Sequence, residues 1–277
     1  MLKAYGIRPV KRLSQSFLID EVILGKILDS LDVKVSETVL EIGAGIGAVT
    51  IPLLDRGCRV VAVEVDKRLV KALLREAPKE GLGGLDVIVA DILALPPFKV
   101  NKIFSNTPFH ISSDLTFKLL KEYEFEYAVL SYQREYALRL LAKPGSPNYG
   151  RLTVMVTLYG KVEPLFTIPK RSFYPPPKVD SMVVRLSKEV KIGDTDPVLL
   201  EWLVRSLFSQ RRKKVAKVLK FSLAKIGKAD LALRAVNELD VADKRVYELP
   251  PSTFLELARY LGERGVKPPP SIPKFKG

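Results

Sequence analysis

The sequence predicts an α/β fold with a mostly parallel, wound sheet, followed by a small all-α C-terminal domain. Two observations predict it. Between Thr38 and Leu141, short β-rich runs alternate with segments of helical periodicity, whereas from Asp194 onward the chain has the pattern of helices alone. Strands that alternate with helices are typical of a parallel sheet. The length of 277 residues and the 47% apolar content suit one large domain and one small domain.

The first predicted strand, Thr38–Ile42, ends on a run of glycines. Gly43, Gly45 and Gly47 allow the backbone to approach a ligand closely, and a helix is predicted from about Ile46 to Leu54. A strand, a glycine turn and a helix form a nucleotide-type cradle. The glycines alone are weakly specific, since the same pattern could hold NAD.

The next two predicted strands each lead to a carboxylate. The run over residues 59–64 ends on Glu64, and an acid about 20 residues after the first glycine can accept both ribose hydroxyls of an adenosine cofactor. The run over residues 86–90 leads to Asp91, which could accept a hydrogen bond from the adenine amine of that cofactor. Together with the glycines, these acids favour an adenosine-containing cofactor.

A polar-Pro-aromatic tetrad, Asn106 to Phe109, follows the fourth predicted strand, Lys102–Ser105, and precedes a predicted helix over residues 114–120. Loops at strand ends carry the chemistry of α/β proteins. Pro108 stiffens this loop. The Asn106 amide, a backbone carbonyl and an aromatic face together suit a flat base that carries an exocyclic amine.

The remaining pattern completes the sheet and then changes. We predict further strands over 127–131, 152–159, 161–166 and 181–186, a helix over 133–141, and antiparallel pairing for the last strands. Helices are predicted over 198–208, onward to 225, and over 229–238 and 252–264. We therefore expect a sheet domain over 1–190, a basic helical domain over 191–265 and a disordered tail over 266–277.

Composition limits the classes of function. The net charge of +14 and the pI of about 9.7 favour a polyanionic partner. With one cysteine, Cys58, and one histidine, His110, we expect neither a disulfide framework nor a metal site. No long apolar run predicts a membrane span and no signal peptide is evident, so we expect a cytoplasmic protein.

Several motifs, taken together and in order, resemble the small-subunit ribosomal RNA adenine dimethyltransferases of the KsgA type. The resemblance extends over about residues 8–215. The matching stretches are Gln15 to Leu18, Glu41 to Gly45, Glu64, Asp91, Asn106 to Phe109 with Ile111 to Ser113, Tyr149 to Leu152, Phe173 to Asp180, and Phe208 to Lys213. Each motif is only moderately specific, but the ordered set is highly specific.

The resemblance implies a Rossmann-like class I methyltransferase sheet, S-adenosylmethionine as methyl donor, and a monomer that acts on small-subunit rRNA. Its target would be two adjacent adenosines near the 3′ end of 16S-type rRNA, each dimethylated at the exocyclic amine during small-subunit biogenesis. By motif position, the cofactor site would consist of Ser16, Leu18, Gly43, Gly45, Glu64, Asp91 and Asn106. Ser16, Ala44 and Phe109 stand where the family commonly has Asn, Pro and Tyr.

The tetrad then predicts a mechanism. The Asn106 side-chain oxygen and the Pro108 carbonyl would accept the amine protons and turn the nitrogen lone pair towards the methyl carbon. Phe109 would stack on the extruded adenine. Outside this pocket, four consecutive basic residues are predicted to contact the rRNA backbone. They are Arg211, Arg212, Lys213 and Lys214.

Three alternatives stay open at this point. A related methyltransferase could act on large-subunit rRNA or on DNA adenine with the same sheet and tetrad, and the second domain would decide between them. The protein could be a ribosome assembly factor for which methylation is incidental. It could also be a NAD-dependent oxidoreductase, but that reading leaves the tetrad without a role.

Overall fold

The computed structural model of the chain describes residues 5–10, 13–77 and 84–269. From residue 270 onward the predicted tail lies outside the described residues. The chain divides into two compact units. The first holds the chain up to Ala137 together with Val162–Lys188, and the second holds Leu138–Lys161 together with the chain from Glu189. The predicted division at residue 190 did not include Leu138–Lys161 in the second unit.

A seven-stranded sheet organises the first unit. The described residues form nine strands, of which β1 and β8 make a separate two-stranded sheet. In chain order they are β1 (Phe17–Leu18), β2 (Thr38–Ile42), β3 (Arg59–Glu64), β4 (Leu85–Val89), β5 (Lys102–Asn106), β6 (Tyr127–Gln133), β7 (Gly160–Ile168), β8 (Phe173–Tyr174) and β9 (Ser181–Lys188). The sheet order is β4-β3-β2-β5-β6-β9-β7. The pairs from β4 to β6 are parallel, and β9 runs antiparallel to β6. The predicted fold class is confirmed.

Both faces of this sheet are buried, as is usual for parallel strands. Val39, Val60 and Phe104 belong to one core cluster that also holds residues of helix α1 (Glu21–Leu31) and helix α2 (Thr50–Asp55). Successive strand residues point to opposite faces, and the alternate residues Leu40 and Ile103 are fully buried as well. Helices α3 (Lys67–Glu76) and α4 (Ser112–Glu122) complete the unit.

Helix α2 begins later than predicted, at Thr50 instead of about Ile46. The reason lies in the glycines. Gly43, Gly45 and Gly47 have φ values of +78°, +61° and +93°, which are incompatible with a right-handed helix. A Cβ at Gly47 would lie 2.6 Å from the Leu73 Cδ1 atom. The segment over 43–49 is therefore a loop with its own shape, and the helix starts only after it.

The second unit is helical. Helix α5 (Arg134–Leu140) leads into it, and its helices are α6 (Arg151–Tyr159), α7 (Pro197–Phe208), α8 (Val215–Ala224), α9 (Asp230–Glu238) and α10 (Pro251–Glu263). The Phe208 ring stacks on Phe254 with 5.4 Å between centroids and meets the edge of Tyr149 at 5.9 Å. The buried Tyr149 hydroxyl donates to the Leu249 carbonyl at 2.6 Å. These aromatic contacts tie α7 and α10 to the segment that precedes α6.

The prediction of a strand over 152–159 is wrong, because Arg151–Tyr159 is helix α6. Thr153 Oγ1 accepts the Gly150 N–H at 3.2 Å and donates to the Arg139 carbonyl at 2.6 Å, which anchors the first turn. All but two of the 9 residues are buried. A short helix that is apolar on every side has no visible period and cannot be distinguished from a buried strand by pattern alone.

Candidate active site

A cavity of about 270 Å³ lies at the carboxyl ends of the parallel strands in the first unit. This is close to the lower end of the roughly 300–1,000 Å³ typical of small-molecule pockets. The structure brings together at this cavity the predicted cofactor and catalytic residues Ser16, Leu18, Gly43, Gly45, Glu64, Asp91, Asn106 and Pro108. Phe109 is half-buried next to Pro108 but is absent from the lining.

The N-terminal arm, residues 13–18, forms one wall of the cavity. Phe17 pairs with Tyr174, and Leu18 pairs with Phe173, in a two-stranded antiparallel sheet. The Ser16 hydroxyl donates to the Pro175 carbonyl at 2.5 Å, and the Ser16 carbonyl accepts the Asn106 Nδ2 amide at 3.1 Å. Ser16 therefore joins three distant segments of the chain at the site, which is a role that the sequence pattern did not predict.

Glu64 ends β3 and is nearly buried, with 7% of its surface exposed. One carboxylate oxygen accepts the Gly45 N–H and the other accepts the Asp66 N–H, each at 3.0 Å. Burial raises the pKa of this carboxyl, although the backbone hydrogen bonds oppose the shift. Since a carboxylate offers about four acceptor positions, each oxygen can still accept one hydroxyl of a ribose diol.

Glu41 is a second buried acid at the cavity, and the sequence pattern gave it no role. It is 2% exposed and accepts the Thr50 hydroxyl at 2.5 Å. Burial raises the pKa of Glu41 to about 8, opposed by the Thr50 hydrogen bond and assisted by the charge of Glu64. Its buried position therefore favours the protonated form of Glu41.

A hydrogen-bonded chain fixes the N-terminal arm to helix α3. The Gln15 side chain accepts the Val10 N–H at 2.8 Å and donates to Asp66 at 2.9 Å. Asp66 caps α3 and also receives the Arg68 guanidinium at 2.7 Å. The Arg68 hydrogen bond is the largest cause that holds the pKa of Asp66 well below its usual value. Gln15 and Asp66 thus position the wall of the cavity rather than a ligand.

Asp91 follows β4 at the far end of the cavity and is exposed. One of its oxygens accepts the Leu93 N–H at 2.9 Å in a short turn. This bond fixes the carboxylate orientation. The second oxygen remains available at the cavity, where an adenine amine could donate to it.

The tetrad is rigidly attached to the sheet. Asn106 is the last residue of β5 and lies in register with Ser131 of β6, and the Thr107 N–H donates to the Ser131 carbonyl at 3.0 Å. The Pro108 carbonyl accepts the Ile111 N–H at 3.1 Å, which closes a 3₁₀ turn over Phe109–Ile111. The Ser112 hydroxyl lies 3.5 Å from that carbonyl and 3.2 Å from the Phe109 carbonyl. The second lone pair of the Pro108 carbonyl is therefore open to a ligand when the Ser112 hydroxyl donates to Phe109.

His110 is exposed at the rim of the cavity. Its Nδ1 atom lies 3.4 Å from the Ser14 hydroxyl of the N-terminal arm. This contact gives His110 a place against the arm.

The four predicted RNA-binding residues lie in the second unit and are not equivalent. Arg211 donates to the Pro147 and Ser146 carbonyls at 3.0 and 3.1 Å, and its guanidinium lies over the Tyr247 ring. Lys214 pairs with Asp243 at 2.6 Å. Arg212 and Lys213 are exposed. Arg211 thus supports the fold of its own unit, whereas Arg212 and Lys213 expose their cations to solvent.

Over residues 5–10, 13–77 and 84–269, no group of three or more His, Cys, Asp or Glu side chains could hold a metal ion. Within the same ranges, no helix has the length and apolar character needed to cross a bilayer.

The sequence matches the model of one family, "Ribosomal RNA adenine dimethylase", over residues 8–260. A protein of Methanopyrus kandleri named as a probable ribosomal RNA small subunit methyltransferase A is 43% identical over 260 residues, which is 92% of each chain. A protein of the same name from Pyrococcus abyssi is 39% identical over 96% of this chain and 97% of its own.

Solved structures agree with these sequence matches. A dimethyladenosine transferase from Plasmodium falciparum superposes with a TM-score of 0.82 at 32% identity, covering 90% of this chain and 98% of the other. The 23S rRNA methyltransferase ErmE superposes with a TM-score of 0.64 at 26% identity, covering 89% of this chain and 99% of the other. The similarity therefore includes residues of both units.

Proposed function

Because the chain belongs to the ribosomal RNA adenine dimethylase family, we propose that it transfers methyl groups from S-adenosylmethionine to two adjacent adenosines of small-subunit rRNA. The products are N6,N6-dimethyladenosines near the 3′ end of the 16S-type rRNA. The protein acts as a cytoplasmic monomer on the small ribosomal subunit. The proposal rests above all on the orientation of Asn106 at the cavity.

Asn106 is held in the orientation that the chemistry needs. Its amide nitrogen donates to the Ser16 carbonyl at 3.1 Å, so its amide oxygen is turned away from that carbonyl. Asn106 also lines the cavity. An amide oxygen at this position can accept a hydrogen bond from one N–H of an adenine amine. The Pro108 carbonyl can accept one from the other N–H when the Ser112 hydroxyl donates to the Phe109 carbonyl at 3.2 Å. Both contacts strengthen as positive charge develops on the nitrogen.

The residues for S-adenosylmethionine lie along the strand ends in the order that such a molecule requires. Asp91 at β4 suits the adenine amine, Glu64 at β3 suits the ribose diol, and the Gly43–Gly47 loop at β2 suits the remainder. A Cβ at Gly43 would meet no atom within 4 Å, so the backbone there faces open space. When bound, S-adenosylmethionine supplies an electrophilic methyl group on a sulfonium.

Positioning supplies most of the expected acceleration. The adenine amine is a weak nucleophile because its lone pair is delocalised into the ring. No general base is required if Asn106 and Pro108 direct that lone pair at the methyl carbon. Once methylated, the nitrogen releases one proton to solvent water. The half-buried Phe109 lies one residue beyond Pro108, where stacking on an extruded adenine can stabilise it by about 1–3 kcal/mol.

RNA capture outside the cavity is assigned to the second unit. Arg212 and Lys213 are exposed, and cations of this kind bind phosphates in a strongly salt-dependent manner. The surroundings of Arg211 suggest that it acts indirectly, by holding the loop over 146–147 against Tyr247.

The test uses radiolabelled S-adenosylmethionine with ribosomal subunits that lack the modification. Purified protein is incubated separately with small and large subunits, and the label is mapped on the rRNA. We expect label on two adjacent adenosines of the small-subunit rRNA only. Label on the large subunit would favour the activity named for ErmE, and label on neither would refute the proposal.

The variant Asn106→Ala tests the proposed role of Asn106 directly. It removes the amide that would accept the amine proton, and the Ser16 carbonyl remains free to bind water. We expect methyl transfer to be abolished, while S-adenosylmethionine affinity by calorimetry stays within a few-fold of the wild type. Equal turnover by the variant and the wild type would exclude the proposed role of Asn106.

A further inference from the structure

Ser131 carries a buried hydroxyl that has no hydrogen-bond partner within the described part of the protein. The residue is 1% exposed. More than 90% of buried polar groups in proteins have a partner, and an unpaired one costs stability. Unlike the other unpaired hydroxyls of the first unit, on Thr107 and Tyr123, Ser131 lines the cavity. The missing partner is therefore expected inside the cavity.

The strand register places this hydroxyl beside Asn106. Ser131 of β6 is the parallel partner of Asn106 of β5, so the two side chains point to the same face of the sheet. Tyr132, the next residue, points to the opposite face and shares a hydrogen bond with Thr116 at 2.6 Å. Thr107 is likewise on the other side of the chain from Asn106. Ser131 and Asn106 thus form a pair at the cavity.

The order of the strands indicates which ligand the hydroxyl meets. The strands β4, β3, β2, β5 and β6 are consecutive in the sheet. Asp91 and the glycine loop follow β4 and β2, Glu64 and Asn106 end β3 and β5, and Ser131 lies near the carboxyl end of β6. Neighbouring strands are about 4.8 Å apart. Ser131 is therefore about 5 Å beyond Asn106, and about 14 Å from Glu64, on the side away from the proposed ribose position. It faces the acceptor base rather than the methyl donor.

We propose that Ser131 is a positioning residue that donates a hydrogen bond to the ring nitrogen beside the exocyclic amine of the target adenine. This inference rests on the proposed function. Asn106 binds the amine, and Ser131 binds the neighbouring acceptor, so the base is held at two adjacent atoms. An adenine offers an unprotonated nitrogen on either side of its amine, whereas guanine has an exocyclic oxygen in place of the amine, which would face the Asn106 amide oxygen as a second acceptor. The pair would therefore also favour adenine.

The test compares Ser131→Ala with the wild type on substrates that lack one ring nitrogen. Small subunits are assembled with adenosine, 1-deazaadenosine or 7-deazaadenosine at the target position, and single-turnover rates are measured at saturating S-adenosylmethionine. On adenosine we expect Ser131→Ala to be about threefold to tenfold slower, the usual loss for one hydrogen bond. On the analogue that lacks the nitrogen bound by Ser131, the rate of the wild type should fall by the same factor. The rate of Ser131→Ala should show no further loss on that analogue.

Two further measurements separate this role from a structural one. Because the hydroxyl has no partner among the residues that the structure describes, Ser131→Ala should not lower the thermal unfolding temperature, and its S-adenosylmethionine affinity should be unchanged. Thr116→Val is the matched control. Its buried hydroxyl does have partners, so its loss should lower the unfolding temperature and leave the ratio of rates on adenosine and the analogues unaltered.

The outcomes are distinct from those of the main proposal. If the wild type modifies the small subunit and Ser131→Ala is equally fast, Ser131 has no positioning role, but the methyltransferase function stands. An effect of Ser131→Ala that persists in full on both analogues would also overturn the inference. A weakened affinity for S-adenosylmethionine would assign the hydroxyl to the donor instead.

Discussion

Glu41→Gln should change how the stability of the protein depends on pH. The substitution keeps the shape of the side chain and an oxygen that can accept the Thr50 hydroxyl, but it removes the titrating group. In the folded protein the pKa of Glu41 is raised from its ordinary 4.5 to about 8. Below pH 4.5 the acid is protonated in both states, so it has no effect on the pH dependence there.

Between these two values the folded and unfolded states differ by one proton. The unfolded chain loses the proton near pH 4.5 and the folded chain keeps it until about pH 8, so wild-type stability falls as the pH rises through this window. One pKa unit corresponds to about 1.4 kcal/mol. The interval from 4.5 to about 8 therefore corresponds to a loss on the order of 5 kcal/mol, which Glu41→Gln should abolish.

The assay is urea unfolding of cofactor-free protein, followed by circular dichroism, at half-unit steps from pH 4 to pH 9 for both proteins. The stability of the variant relative to the wild type should rise through the window and level off above it. Glu126→Gln, at an exposed position of the same unit, controls for neutralising any glutamate. A constant difference between Glu41→Gln and the wild type across the window would refute the reasoning from burial.

Three other predictions concern stability and RNA capture. Lys102→Met breaks a buried pair with Glu37 at 2.8 Å and should cost about 3–5 kcal/mol in urea unfolding, whereas Lys191→Met, in an exposed pair, should cost less than about 1 kcal/mol. Gly47→Ala, at φ +93° and facing Leu73, should lower thermal stability by at least 1–2 kcal/mol, and an unchanged unfolding temperature would contradict the clash. Replacing Arg212 and Lys213 by Glu should weaken rRNA binding and reduce its salt dependence by about two ions, with cofactor affinity as the control.

The parallel part of the fold was predictable because each strand is bounded by strong signals. Thr38–Ile42 and Arg59–Glu64 have the predicted bounds, since a β-branched run ends there at a glycine turn or a carboxylate. Helix α7 begins at Pro197, one residue before the predicted range of 198–208, and Asp196 is its cap. In these cases the local sequence and the tertiary structure favour the same conformation.

The errors occur where tertiary burial overrides the local pattern. Leu152–Tyr159 has no polar face because it is packed on nearly every side, so its helix resembled a strand. The glycine loop delays α2 because three residues take left-handed conformations, and their φ values are not evident from the sequence. Both errors concern the secondary structure of a segment, and all the predicted cofactor residues still line the cavity.

The site was predictable as a set of residues, but not in its electrostatics. The motif spacing brought the two acids, the glycines and Asn106 to one edge of the sheet. It could not reveal that burial raises the pKa of Glu41, that Ser131 has no partner among the described residues, or that Arg211 donates to two carbonyls. These properties depend on which atoms become neighbours in three dimensions, and no single-residue pattern encodes them.

The contacts of Ser16 imply that the cavity can be completed only late in translation. Its hydroxyl and its carbonyl connect to Pro175 and Asn106, which are translated long after it. A nascent chain that has not yet exposed Pro175 can already have formed its central strands, but one wall of the cavity has nothing to close against. Binding of S-adenosylmethionine should thus appear late in translation, once the last sheet segments have left the ribosome.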